Sequence, residues 1–424
     1  MVGFLVSWVT TVTAITISLF AVSARSFPPR NYFAVSPRAF PTRVCATTAP
    51  AQDALDVNTT SLQVGGRPFG MVYLSESIAF ATIERSVAVL DVSNFTPKIK
   101  TTVPLPPDVV IGTNDPDSAG YEFHGIALTH DKRNLYVVTG YGAVVMDVPK
   151  TIAGRNDSIA GLLSRNGYAG SNAVQISITP DDKFVFISQE FGSNATLNRG
   201  AIEVYNVTRL ENGTVVGGYK GFVALGYATV GQAFSKDYKK LFVTSEVSRS
   251  ARNKNETEGA VSVLDVETLK TTPGKAYLYE IRGGCHPVRC KLANDGKTLW
   301  VTVREANQLL AFDAEKLAKN VTTDVVVANV KTGTSPVGVA VVGQYILTAD
   351  SNRFGYSNTT TGATVVDSLA ALRGKTSRWP QIRTGRFPRE FALSPDGNTM
   401  LVAEYDAQKI RAVDVSSLNA RMDV

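Results

Sequence analysis

Short runs of apolar, β-branched and aromatic residues recur from about residue 62 to 415, each interrupted by a polar turn. The clearest copy spans residues 387–404, FPREFALSPDGNTMLVAE, followed after a gap by Ile410-Arg411-Ala412-Val413-Asp414-Val415. It reads as strand, Ser-Pro-Asp-Gly turn, strand, loop, and a third strand ending on an aspartate. Laid in register on the Ser/Thr-x-Asp turn, the strand before the turn begins near Pro68, Phe123, Val174, Val230, Pro287, Pro336 and Pro388. The third strands close on Asp91, Asp147, Asn206, Asp265, Asp313, Asp367 and Asp414, spaced 47 to 59 residues apart. A period of that size with several short strands per unit signals a solenoid or a propeller. Asp-Gly and Asp-Lys turns make each unit an antiparallel meander. The pattern predicts an all-β fold, a seven-bladed β-propeller of four-stranded antiparallel blades, which leaves only short, protected edges.

Middle repeats carry a fourth strand after the aspartate, for example residues 325–330, whereas the seventh ends near Val424 with no room for one. The segment 60–64, ahead of the first repeat, can supply it. An N-terminal strand is therefore expected to complete the last blade, because an open ring would expose an unpaired edge. Residues 58–424 read as one domain.

Residues 1–24 are apolar, uncharged and short for a membrane span, and end in Val22-Ser23-Ala24. They are expected to be a signal peptide, with a retained anchor as the alternative. Residues 25–57, rich in Pro, Ala, Thr and Arg, read as a flexible lead-in. Nine Asn-x-Ser/Thr sequons begin at Asn58, Asn94, Asn156, Asn194, Asn206, Asn212, Asn255, Asn320 and Asn358. Most fall at strand ends or in loops, where a glycan faces water; a Thr-rich composition is the competing source. The chain is expected to be secreted, glycosylated and monomeric, with no membrane contact once the signal is cleaved. Three cysteines occur, Cys45, Cys285 and Cys290. In an oxidising compartment Cys285–Cys290 is the nearest pair, and the alternative ties Cys45 to one of them.

The net charge is +6 and the pI near 9.0. Basic residues are scattered rather than clustered with aromatics, so no nucleic-acid partner is expected. Walker, Gly-x-Ser-x-Gly and dinucleotide motifs are absent from the sequence, and no cofactor or metal is predicted.

In a propeller the start of each innermost strand and the end of each second strand lie on one face, around the channel mouth. Most blades place small or apolar residues at the innermost position. The departures are His124, Gln175, Arg289, Arg389 and Glu390, with His286 just upstream. At the second-strand ends stand Glu84, Glu190, Glu246, Arg304, Asp350 and Glu404. Arg289, Arg304 and Arg389 suit bidentate binding of a carboxylate or phosphate, and Glu390, Glu404 or His124 suit proton transfer. Gln175, Glu190, Glu246, His286, Arg304, Asp350 and Glu404 form the candidate ligand-binding rim. The competing expectation is that these charges pair with one another and plug the channel. The recurrent carboxylates would suit a hard cation, although inheritance through the repeat is the weightier explanation.

The motifs Pro336–Ala340, Ser394–Gly397, Leu135-Tyr136-Val137-Val138-Thr139 and Val261-Ser262-Val263-Leu264-Asp265 resemble the YVTN-type and lactonase-like seven-bladed propellers, over about residues 62–415. Such motifs encode blades rather than a site. Catalytic members, the 6-phosphogluconolactonase-like and carboxymuconate cyclase-like enzymes, use Arg, His and Glu at the channel mouth. The resemblance implies such a role for His124, Arg289, Arg389 and Glu390. The expected function is binding of a small anionic or carbohydrate-derived ligand, with lactone hydrolysis or lactonising isomerisation as its catalytic form. The alternative is a non-catalytic extracellular protein that binds glycan or protein through its rim loops.

Overall fold

The computed structural model describes residues 45, 48–105, 123–140, 142–164 and 170–419. The expected signal peptide and the first part of the lead-in lie outside the described residues. Twenty-eight strands form seven four-stranded antiparallel sheets. Blades 1 to 6 span residues 68–104, 126–164, 170–224, 227–285, 287–331 and 336–383. Blade 7 takes three strands from residues 388–414 and its outermost strand from Thr59–Gln63, which pairs Thr59 with Val413 and Gln63 with Lys409. The ring is closed by the N-terminal strand.

The recurrent polar residues have local structural jobs. In the inner turns Thr129, Thr179, Ser235 and Ser394 each donate a side-chain hydrogen bond to the aspartate two positions on, at 2.5 to 2.7 Å. That is the turn-forming chemistry expected of such pairs. The aspartates that end the third strands of blades 2, 4, 5 and 6 cap short helices: Asp147, Asp265, Asp313 and Asp367 accept from the backbone N–H of Lys150, Thr268, Lys316 and Ala370. Each satisfies an N–H that the helix itself leaves open.

Blades pack through layers of Val, Leu, Ile, Phe and Ala, such as Phe242, Val261, Val301 and Phe312 between blades 4 and 5. Hydroxyls add a second tie. Thr82, Ser188, Thr244 and Thr302 each donate to a carbonyl of the next blade (His124, Val230, Val288 and Val337) at 2.6 to 2.8 Å. Each also accepts from an N–H of its own innermost strand: Gly70, Gln175, Gly231 and Arg289.

The disulfide joins Cys45 to Cys285, and Cys290 is a buried free thiol. The expected Cys285–Cys290 bridge is therefore corrected. Cys285 ends the outermost strand of blade 4 at the mouth face, whereas Cys290 lies three residues inside the innermost strand of blade 5. At the rise of a strand that is ~10 Å from the mouth end, beyond the reach of a disulfide. Burial pushes the Cys290 thiol up to about 12.

Past Cys45 the described chain lies along blade 6 before entering blade 7. Ala49 exchanges hydrogen bonds with Thr334 through its N–H and carbonyl. The Thr364 hydroxyl lies 2.6 Å from the Gln52 side-chain oxygen. Gln381 donates its N–H to the Asp53 carbonyl and accepts from the Leu55 N–H. Leu55 and Val57 then pack against the blade 6–7 core.

Candidate functional site at the channel mouth

Six of the seven innermost strands start with an irregularity among the described residues, blade 2 being the exception. In blade 7 Pro388 faces Glu404 and Phe391 faces Val402, so three steps on one strand match two on the other. The same bulge occurs in blades 1, 5 and 6, with related shifts in blades 3 and 4. A bulge re-aims side chains; here it turns two consecutive residues per blade toward the axis. The first of them form a collar of Phe69, His124, Val174, Val230, Val288, Val337 and Arg389. Its apolar members pack together with Phe387 and Tyr405.

His124 and Arg389 are the two polar members, and Phe69 lies between them. The Phe69 and His124 rings are 4.6 Å apart, and the Arg389 guanidinium stands 3.9 Å from the centre of the Phe69 ring. Arg389 also lies 5.4 Å from the Phe387 ring and 5.2 Å from that of Tyr405. Its Nε is buried, and no acceptor among the described residues lies within hydrogen-bonding distance of the guanidinium. Burial, with Arg289 adding to it, pushes this guanidinium down to about 10. It remains a cation at neutral pH. His124 is 6 % exposed and its Nδ1 lies 2.7 Å from the Ala173 carbonyl. Burial, aided by Arg389 and Arg289, holds the imidazole down at about 4 against the pull of that carbonyl. A neutral ring donating through Nδ1 leaves Nε2 as the basic nitrogen.

The next residue in each blade is glycine in four and a larger polar residue in three: Gly70, Gly125, Gln175, Gly231, Arg289, Gly338, Glu390. A Cβ at Gly338 would meet the Arg389 carbonyl at 2.4 Å, and one at Gly70 the His124 carbonyl at 2.6 Å. Glycine is therefore required wherever the next blade's backbone comes this close. The gap at Gly338 also lets blades 5 and 7 meet: Arg289 donates through Nε to Glu390 at 2.7 Å, with Nη2 in ion-pair contact with the same oxygen at 2.5 Å. Gln175 is consumed by the neighbouring backbone, donating to the Gln232 carbonyl and accepting from its N–H, both at 3.1 Å.

The other rim residues divide by blade. Arg304 grips Glu246 bidentately at 2.8 and 2.9 Å. His286 stands 3.6 Å from Glu246 and 3.5 Å from Glu305. Burial would raise the Glu246 carboxyl, but His286 and Arg304 outweigh it and hold it below its ordinary value. Glu190 takes the Asn172 amide, and burial together with Glu246 raises its carboxyl. Asp350 and Glu404 do not reach the channel. Asp350 is sealed in blade 6 by Thr348, Thr364 and Gln381. Glu404 is sealed in blade 7 by Arg411 and the Gly385 N–H. Glu84 is exposed. Among the described residues no group of three or more His, Cys, Asp or Glu side chains is arranged to hold a metal.

Sequence reasoning missed Glu305, Asn172, Arg353, Phe387 and Tyr405. Arg353 projects from the second-to-third-strand loop of blade 6, 5.4 and 5.8 Å from the Phe354 and Phe387 rings. Glu305 and Tyr405 directly follow predicted rim residues, so extending each strand end by one position would have found both.

No family model matches the chain, and no curated protein matches it. Solved structures do. One chain of Kuenenia stuttgartiensis hydrazine synthase superposes with a TM-score of 0.58 at 15% identity, covering 84% of this chain and 97% of its own. A chain of a mitotic checkpoint complex gives 0.58 at 13% identity, covering 88% and 99%. A β-propeller domain from Myceliophteria thermophila gives 0.55 at 9% identity, covering 84% and 99%. Identities this low establish the propeller fold and nothing of the activity.

Proposed function

We propose that this chain is a secreted, glycosylated propeller that binds a small anionic ligand at its channel mouth, anchored by Arg389. One observation carries the reading. Arg389 is caged by Phe69, Phe387 and Tyr405 without an acceptor among the described residues, whereas Arg289, Arg304 and Arg411 each rest on a carboxylate. A pre-positioned, poorly hydrated guanidinium is suited to carboxylate recognition. The expected plugging by charge pairs thus applies at Arg289 and Arg304 and fails at Arg389. Passage through a secretory compartment is supported by the exposure of all nine sequon asparagines and by the Cys45–Cys285 bridge.

His124 favours a second, catalytic reading. Its neutral Nε2 belongs to the same collar as Arg389, and a lactone ring seated there would place its carbonyl against the guanidinium. Water would add to that carbon, its proton passing to Nε2; the ring C–O bond would then break as Nε2 returns the proton to the departing oxygen, giving the hydroxy acid and the neutral imidazole. Arg289 and Glu390, expected as direct participants, would serve instead as a paired support below the collar. The test is calorimetric titration with γ- and δ-lactones and their hydroxy acids, alongside hydrolysis assays. Arg389→Met should weaken hydroxy-acid binding at least about tenfold, worth about 1.4 kcal/mol. His124→Gln should spare binding and remove any turnover. Equal affinity of Arg389→Met and the native protein would sink the anionic-ligand reading.

A further inference from the structure

Below the mouth, the channel holds a charge imbalance that the ligand site leaves unresolved. Arg289 is 5 % exposed and spends Nε and Nη2 on Glu390, yet its Nη1 is buried without a hydrogen-bond partner among the described residues. The Nε of Arg389 is buried and equally unpartnered. The two arginines come from adjacent levels of the same axis, Arg389 in the collar and Arg289 one residue past Val288. Together they carry two positive charges against the single carboxylate of Glu390. His124 adds none, being neutral, and Glu246 is already matched by Arg304. Glu190, bonded to Asn172, also feels Arg389 and Arg353, but burial and Glu246 outweigh them and raise its carboxyl. A buried cation without a counter-charge is costly, and a buried N–H without an acceptor adds to that cost.

We infer that the channel of this propeller is a binding site for a monatomic halide, held by Arg289 Nη1 and Arg389 Nε. The walls set the size. Phe69, Val174, Val230, Val288 and Val337 form one apolar cluster with Phe387, so a bulky or strongly hydrated anion would bury oxygens without donors. A halide needs only the two N–H groups, and its charge balances the arginine pair against Glu390. This site is distinct from the mouth ligand, which would approach the other edge of the Arg389 guanidinium, although both depend on that residue.

The test is thermal unfolding of the full chain at constant ionic strength, exchanging chloride for methanesulfonate. Chloride should raise Tm saturably, and Arg389→Met should abolish the rise while the exposed Arg155→Ala keeps it. Glu390→Gln supplies the opposite sign. Removing a negative charge a few Å from the halide should tighten binding by about tenfold or more. Crystals grown in bromide should show an anomalous peak between Arg289 and Arg389. Identical melting in both salts, a chloride response retained by Arg389→Met, or weaker binding in Glu390→Gln would overturn the inference. If Arg389→Met does not fold, the Glu390→Gln titration and the bromide peak still decide it. A halide failure with Arg389-dependent hydroxy-acid binding removes this site alone; the converse removes only the mouth reading.

Discussion

At the scale of single residues, one step along a strand decides what a carboxylate does. Asp350 and Glu404 end their second strands opposite Pro336 and Pro388, whereas Glu246 lies one position beyond the corresponding Ser245; Glu246 faces an arginine at the mouth and Asp350 lies inside its blade among neutral donors. Burial raises the Asp350 carboxyl from 3.8 to about 6, against the hydrogen bonds of Thr364, Gln381 and Thr348. An acid whose folded value is raised favours the folded state when protonated. Its stabilising contribution is therefore complete below about pH 4 and is lost as the pH climbs through about 6. Asp350→Asn should abolish that dependence. An amide oxygen in place of Oδ2 still accepts from Thr364 and Gln381, and the Thr348 hydroxyl can turn to accept from the new N–H₂. Chemical denaturation at pH 7.5 should then show a gain on the order of 2–3 kcal/mol, from a shift of roughly two units. At pH 4 the variant and the native protein should match, and a gain of equal size at both pH values would contradict the assignment.

At the scale of elements, the blades are joined by apolar layers and by a hydroxyl in four of the seven. Thr302 links the Arg289 N–H of its own blade to the Val337 carbonyl of the next. Valine at this position keeps the shape and removes the link, leaving a buried donor and a buried acceptor open. Thr302→Val should cost about 1–3 kcal/mol and should also loosen the Arg289–Glu390 pair, whose arginine hangs from that N–H. Denaturant unfolding reads the first effect and halide affinity the second. Blades 6 and 7 have Ala349 and Ala403 at the equivalent place, so Ala403→Gly should spare the halide response. The bulges belong to this scale too. Regular strands would have alternated 389 and 390 between faces; the extra residue sends both toward the axis.

At the scale of the whole molecule, the N-terminal segment is tied to the ring twice, once by the strand Thr59–Gln63 in blade 7 and again by the Cys45–Cys285 bridge to blade 4 and the bonds of Ala49, Gln52 and Leu55 along blade 6. The disulfide spans 240 residues of sequence, so reduction releases a very large loop in the unfolded chain. Cys45→Ser with Cys285→Ser should lower stability by about 2–4 kcal/mol while leaving the propeller assembled, since the hydrogen bonds of Ala49, Gln52 and Leu55 remain. Calorimetry of the variant reads the loss, and an unchanged melting temperature would show that the N-terminal segment is held by those bonds alone. The sequence by itself determined the blade count, the turn chemistry and the closing strand, because each depends on local periodicity and on residues that act within one repeat. It also marked His124, Gln175, Arg289, Arg389 and Glu390 as departures from an apolar background, which is legible position by position. Only the tertiary structure decided which of those charges neutralise one another. Arg289 and Glu390 are 101 residues apart and meet across Gly338, Cys285 turns from Cys290 to Cys45, and Arg389 stands alone among aromatic rings. Pairing depends on distances set by ring closure and by the bulges, and no repeat carries that information within itself.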